Sequence, residues 1–171
     1  TLIDFDVFSR ACQVVYNLTM TGPLVPKDFK VPEVLETEKF RLRMLKISDV
    51  VKDYDAVMSS LNHLRGIFGD GSTWPQKDLG FEQDLIDLGW HQKEFQTRSS
   101  FAYTVMNPNE SQCLGCMYIF PSSKPEYEVE IFMWVRKSEF DKGLDQVLFK
   151  TVKSWVEEKW PFKKVRYPGR E

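Results

Sequence analysis

The hydrophobic period of this chain changes near residue 100. Before that point Phe81, Leu85, Leu88 and Phe95 recur at helical spacing, which predicts a helix from Phe81 to Arg98 with Gly80 as its N-cap. After it come three runs of strand character, Phe101–Met106, Gln112–Phe120 and Tyr127–Val135. They are separated by the turn formers Asn107-Pro108-Asn109-Glu110 and by Pro121–Pro125, so the strands follow one another antiparallel. Helices first and a run of paired strands afterwards restrict the chain to an α+β sheet with helices on its faces.

The remaining elements fit around that core. Phe40, Leu42 and Met44 alternate with Arg41 and Arg43, a half-buried strand within residues 37–47. Ser48 and Asp49 cap a helix carrying Val50, Tyr54, Val57, Met58 and Leu61. Residues 62–77, with Gly66, Gly69, Gly71, Trp74 and Pro75, read as a loop. Beyond the third run, 136–142 reads as a loop and 143–159 as a helix with Leu144, Val147, Leu148, Val152, Trp155 and Val156 inward. Residues 164–167 form a short final strand. At the other end Phe5, Phe8, Cys12, Val15 and Tyr16 suit one face of a helix over 4–18, capped by Asp4. Thr21-Gly22-Pro23 ends it, and Pro23, Pro26 and Pro32 make 21–36 extended. Residues 1–36 are therefore expected to be an arm packed on a main domain of residues 37–171.

Composition narrows function by exclusion. A net charge of −2 over 171 residues argues against a nucleic-acid partner, which needs a basic surface. The basic positions Lys159, Lys163, Lys164, Arg166 and Arg170 read as a solvated helix end and loop, with contact to a phosphate as the alternative. No apolar run reaches the roughly 18–20 residues that cross a membrane, and no signal peptide is visible, so no membrane partner is expected and the cytoplasm is the expected location. Thr1 is not a natural start, and residues are expected to precede it. The 3 cysteines, Cys12, Cys113 and Cys116, do not make a disulfide scaffold. Cys113 and Cys116 are three apart in a strand, which points them to opposite faces, so they are expected to be buried structural residues and no metal site is expected.

Several stretches resemble the GNAT (acyl-CoA N-acyltransferase) superfamily, over about residues 35–171. Leu35-Glu36-Thr37-Glu38-Lys39-Phe40-Arg41-Leu42-Arg43 with Ser48-Asp49 is similar to its first strand and helix. Leu114-Gly115-Cys116-Met117-Tyr118-Ile119 is similar to its glycine-bearing strand, and Glu130-Ile131-Phe132-Met133-Trp134-Val135 to its cofactor strand. Phe140-Asp141-Lys142-Gly143-Leu144-Asp145 stands in the place of its pyrophosphate loop. The family loop reads Gln/Arg-x-x-Gly-x-Gly/Ala. Phe140 and Asp145 depart from that pattern and Gly143 keeps it. The resemblance implies a GNAT-like fold, a mixed and mostly antiparallel sheet flanked by helices, and acetyl-CoA as acyl donor.

The same resemblance implies the site. Pantetheine would pair as an extra strand with the edge at Met133, Trp134 and Val135. The pyrophosphate would take the backbone N–H groups of Gly143 and Leu144 at a helix N-terminus, where the dipole favours an anion. Arg136, Lys137 and Lys142 would offset the charge of Asp145. Glu130, which shares a strand face with Glu128, would be the general base for an incoming amine, and Tyr167 the general acid for the leaving thiolate, with a core position as the alternative for Tyr167. Trp74, Trp90, His91 and Glu94 would line the acceptor side, a helix-surface position being the alternative for His91, and His63 is expected to be exposed.

Two functions follow. One is acetyl transfer from acetyl-CoA to a small-molecule or peptide amine. The other is a non-catalytic GNAT-like domain that binds a small ligand or a protein. An open cleft between the cofactor strand and the last strand, with a bulge near Met133, favours the first. A cleft filled by Phe140 or by the arm favours the second. The arm can pack on its own domain or on a neighbour's, and the latter would give a homodimer.

Overall fold

Residues 22–69 and 71–170 are described by the computed structural model, so the expected helix over 4–18 lies outside the described residues. Six strands form one sheet in the order β1 to β6: β1 (Val34–Glu36), β2 (Arg41–Met44), β3 (Phe101–Met106), β4 (Cys113–Pro121), β5 (Val129–Val135) and β6 (Val165–Arg166). Neighbours from β1 to β5 are antiparallel, and β6 is parallel to β5. A parallel pair needs a crossover. Here it is α4 (Lys137–Phe140) and α5 (Leu144–Lys159). The other helices are α1 (Val50–Met58), α2 (Leu61–Leu64) and α3 (Phe81–Thr97), with a 3₁₀ turn over Ile47–Asp49.

The strand expected over 37–47 is shorter than its pattern, because Thr37–Phe40 turns the chain back on itself. The Thr37 hydroxyl oxygen accepts the Phe40 N–H at 3.0 Å, and the Thr37 N–H donates to the Phe40 carbonyl at 2.9 Å. That turn brings Val34–Glu36, the end of the arm, into the sheet as β1. Residues 24–29 of the arm are held by the end of α3. Arg98 closes α3 in the left-handed region at φ 64°. Its guanidinium donates to the carbonyls of Pro26, Lys27 and Phe29 at 2.6–2.9 Å. Val25 is buried, and Leu24, Phe29 and Val31 rest on the core.

The sheet separates two cores. On the α5 side lie Phe101, Tyr103, Ile119, Ile131, Met133, Leu148, Val152, Trp155 and Trp160. Full burial of such side chains stabilises by roughly 1.5–3 kcal/mol each. On the α1 and α3 side lie Val57, Leu64, Trp74, Leu88, Met106, Cys113, Cys116, Tyr118 and Trp134. Among the described residues no helix is long and apolar enough to cross a membrane.

Candidate functional site

The outer edge of β5 is where the sheet opens. β6 pairs with β5 for two residues, Val129 with Val165 and Glu130 with Arg166. The Arg136 N–H donates to the Leu114 carbonyl on β4 at 2.7 Å. Backbone groups alternate sides along a strand, so Met133 and Val135 turn their N–H and C=O groups to the edge that β6 has left. An extended polar ligand would find its partners there. The Met133 carbonyl instead accepts a hydrogen bond from Arg170 at 3.2 Å. Pro168-Gly169 makes the turn that delivers Arg170: Gly169 is at φ 76°, and the Arg170 N–H donates to the Tyr167 carbonyl at 3.1 Å. The guanidinium also pairs in bidentate fashion with Asp145, at 2.7 and 2.8 Å, and lies over the Phe149 ring. Asp145 sits in the first turn of α5. The side chain that reaches this edge is thus Arg170. Phe140 is 45% exposed and rests on His63, which is half-buried by that contact.

The loop before α5 is partly committed to itself. Residues 137–140 form α4, where the sequence pattern predicts a loop. The N–H groups of Glu139 and Phe140 donate to the Arg136 carbonyl, and that of Gly143 to the Phe140 carbonyl. The Lys137 N–H donates to the Ser60 hydroxyl at 2.9 Å. Gly143 stands at φ 81° as N-cap of α5 with open space where a side chain would be, so a ligand can approach its backbone. The cations expected to face phosphate have protein partners. Buried Arg136 reaches Asp55, Ser59 and the Cys113 carbonyl, Lys137 pairs with Asp141, and Lys142 with Glu139. Met133, Val135 and Leu144 bury their side chains on the α5 side. Trp134 faces the other way and donates its indole N–H to the Tyr118 hydroxyl at 3.3 Å. What β5 offers at this edge is backbone.

Glu130 and Tyr167 lie on opposite faces of the sheet. Glu130 is buried on the α1 side of β5, where it accepts from Arg166 at 2.9 Å and lies 3.5 Å from the Ser122 hydroxyl. Tyr167 packs edge-on against Phe149 of α5, and its buried hydroxyl has no hydrogen-bond partner. Burial, with Glu157 nearby, pushes the phenol up to about 12, so it stays protonated at neutral pH. Glu128 is exposed and clamps the chain before β6, accepting from the N–H groups of Lys163 and Lys164 at 2.5 and 2.7 Å.

The residues expected to line the acceptor side stand at an aromatic wall. Phe68 meets Trp74, Tyr118 and Phe132 at centroid distances of 5.2–5.5 Å. His91 is buried rather than on the helix surface, with its ring against Tyr118 and Phe120. Position 91 shares the buried face of α3 with Asp84, Leu88 and Phe95, three and four residues apart from its neighbours on that face. Glu94 accepts from Ser100 and stands 3.6 Å from His91. Trp90, expected beside them, is 49% exposed with Lys93 over its ring.

Beneath this wall the expectation for the cysteines is corrected. Met106 pairs with Cys113 but Val105 with Gly115, so Leu114 is an extra residue and β4 carries a bulge there. The bulge resets the alternation and puts Cys113 and Cys116 on one face, where their sulfurs and a carboxylate oxygen of Asp53 all lie within 4.8 Å of one another. Gly115 permits it: a Cβ there would stand 1.9 Å from the Trp134 carbonyl oxygen. Both cysteines are buried as expected. The bulge is thus on β4, while β5 keeps unbroken register with it through Met133. Carboxylates gather around this point. Burial pushes Asp53 up to about 6, and Asp84 up to about 8 with the charges of Asp53 and Asp87 adding. This cluster is hidden at the level of sequence, because Asp53, Asp84 and Asp87 sit among the polar positions of helices that read as amphipathic.

No family model and no curated protein matches the sequence. Solved structures do match in shape. A ribosomal-protein-S5-alanine acetyltransferase from Vibrio fischeri superposes with TM-score 0.62 at 16% identity, over 82% of this chain and 77% of that one. A GNAT-family acetyltransferase from Bordetella pertussis gives TM-score 0.59 at 13% identity, over 78% and 77%. RimL, a ribosomal L7/L12 α-N-protein acetyltransferase in complex with coenzyme A, gives TM-score 0.50 at 17% identity, over 62% and 57%. At these identities the likeness shows the fold. The chain has the GNAT fold, a mixed and mostly antiparallel six-stranded sheet flanked by helices.

Proposed function

From the GNAT fold that the chain adopts, we propose that it takes an acyl-CoA along the open edge of β5 and transfers an acetyl group to an amine. The observation that carries this is the departure of β6 after two pairs. It leaves the backbone groups of Met133 and Val135 without a strand partner on that side, and Gly143 at the N-terminus of α5 follows β5 along the chain. That RimL holds coenzyme A supports the choice of ligand. Acetyl-CoA supplies the activated acyl group.

The chain's own residues would do the rest. Met133 and Val135 would hold pantetheine by their backbone, and Gly143 and Leu144 would offer N–H groups to the pyrophosphate. Arg170 would have to leave the Met133 carbonyl, and its bond to Asp145 keeps a carboxylate in the first helical turn neutralised until then. Glu130 would take the proton of the amine, and Tyr167, protonated and unpartnered, would supply one to the departing thiolate. The amine would approach across Phe132 and the aromatic wall.

Titration calorimetry with acetyl-CoA on the wild-type chain and on Asp145→Asn tests the cofactor site. The variant loosens the Arg170 clamp and removes a negative charge, so it is expected to bind more tightly than wild type. Thiol release with a panel of amines tests transfer, and Glu130→Gln is expected to lower it by about 100-fold or more. No heat with either protein overturns the acyl-CoA reading. A second reading, a domain that binds without catalysis, is favoured by the pairing of Glu130 with Arg166 and by Tyr167 lying across the sheet. Binding without turnover of any amine would select it.

A further inference from the structure

The most unusual chemistry among the described residues lies away from the β5 edge. Cys113 and Cys116 of β4 and Asp53 of α1 meet in the centre of one core layer. Cys113 and Cys116 are 0% exposed and Asp53 is 4% exposed. The Cys116 thiol donates to Asp53 Oδ1 at 3.2 Å, the Cys113 thiol reaches the Gly115 carbonyl at 3.4 Å, and Thr104 Oγ1 is 3.6 Å from the Cys113 sulfur. Two features of the backbone build this: the Leu114 bulge, and the missing side chain at Gly115.

A thiol is a weak donor, and a buried carboxylate is usually held by a strong donor, a cation or a metal. The surroundings do not supply one in excess. Asp49, in the same layer, is taken by Arg43 at 2.8 Å. Asp84 has a buried carboxylate oxygen without a hydrogen-bond partner. Asp87 bonds Gln83, and His91 faces the cluster from α3. Tyr118, beside Cys116, receives the Trp134 indole N–H. A cation in the centre would be attracted by the carboxylates around it and would meet two soft sulfurs and one oxygen. Around a tetrahedral zinc ion, with Zn–S about 2.3 Å and Zn–O about 2.0 Å, such donors stand roughly 3.5–3.8 Å apart. The three donors here are within 4.8 Å of one another, with Cys116 Sγ and Asp53 Oδ1 at 3.2 Å, so shifts of about an ångström or less complete the geometry.

We propose that Asp53, Cys113 and Cys116 form a site for one thiophilic divalent cation, zinc in the first instance, which ties α1 to the bulge of β4. The set is a S₂O donor group, which selects zinc or cobalt over magnesium or calcium. On binding, the two thiols lose their protons to solvent and the sulfurs coordinate as thiolates. The fourth tetrahedral position is left to water. This site is independent of the acyl-CoA reading.

Cobalt reports the ligands directly. The full chain is refolded with Co²⁺, and separately titrated with it after folding. One equivalent is expected to give a sulfur-to-cobalt charge-transfer band in the near ultraviolet. Cys12→Ser should keep the band, Cys113→Ser and Cys116→Ser should lose it, and Asp53→Asn should bind at least tenfold more weakly. The second measurement needs no variant of the site: Zn²⁺ is expected to raise the unfolding midpoint of wild type and of Cys12→Ser, and a chelator to reverse it. No band under either loading condition, a band that survives in both Cys113→Ser and Cys116→Ser, or an unfolding midpoint indifferent to Zn²⁺ overturns the proposal.

Discussion

The two faces of the sheet are built on different principles. The α5 face is a hydrocarbon and aromatic core: Tyr103, Trp155 and Trp160 meet edge to face at centroid distances of 5.4–6.4 Å, with Leu148 and Val152 fully buried beneath. The α1 and α3 face also buries aromatic and aliphatic side chains, but it includes Asp53, Asp84, His91, Thr104 and Glu130 among its apolar neighbours. Dispersion and burial hold the first face, and its buried polar atoms are few: the Tyr103 hydroxyl, which donates to the Pro32 carbonyl at 2.6 Å, and the unpartnered Trp160 indole N–H and Tyr167 hydroxyl. The second has to satisfy or neutralise every group it covers. Charge-dependent stability is therefore expected on the second face and packing-dependent stability on the first, and the substitutions below separate the two.

The largest effect is expected at the residue that makes the faces differ. Gly115→Ala would press a Cβ to 1.9 Å from the Trp134 carbonyl oxygen and 2.8 Å from the Val135 Cα, both backbone. The strands can relieve this only by parting, so a loss of at least about 4–5 kcal/mol is expected, in the exceptional class for one substitution. Denaturant titration measures it. A loss below about 1 kcal/mol would show that β4 and β5 are free to slide, and with them the alignment of Cys113 and Cys116.

The order of elements was legible in the sequence because period carries it. The helix at Phe81, the three strand runs and the helix ending at Lys159 stand within a few residues of their patterns. What was hidden was hidden for physical reasons. Leu114 is an ordinary apolar residue, and nothing in Cys-Leu-Gly-Cys tells a regular strand from a bulged one; Gly115 was the one cue. β1 was read as part of the arm because three residues are too few for alternation to register. His91 stands three residues after Leu88 and four before Phe95, so the period places it inward, and only its polarity argues for the surface. At the β5 edge, the Pro168-Gly169 turn announced a reversal, but the pairing of Arg170 with Asp145 joins residues 25 positions apart and exists only once α5 and β6 are in place.

The next effect tests the apolar face. Leu148 of α5 is fully buried among Ile131, Val152 and their neighbours. Leu148→Ala should cost about 3 kcal/mol, as a cavity in a packed core does, and should do so equally at pH 5 and pH 8, since burial pushes Tyr103 and Tyr167 of that face further up and both stay protonated over this range. A cost that varied strongly with pH would mean that the two faces are coupled through the sheet.

The smallest effect has the opposite sign and belongs to the polar face. The Asp84 carboxyl is pushed up to about 8, first by burial and then by the charges of Asp53 and Asp87. In the unfolded chain it titrates near 3.8. Between these values the folded chain holds a proton that the unfolded chain has released, so stability from this group is full below about 4 and falls as pH rises toward 8. Asp53, pushed up to about 6, acts in the same direction over the lower part of that window. Asp84→Asn keeps the shape and removes the ionisation. It should flatten the decline and leave the variant more stable than wild type at pH 8, by about 1 kcal/mol or more, or about 2–4 °C in midpoint for a chain of this size. Below pH 4 the two proteins should converge, because a protonated carboxyl and an amide make similar demands on the site. A variant less stable than wild type at pH 8 would mean that the ionised carboxylate has a counter-charge, and since Asp53 lies next to Asp84, repeating the pair of pH scans with Zn²⁺ present would show whether that counter-charge is the metal.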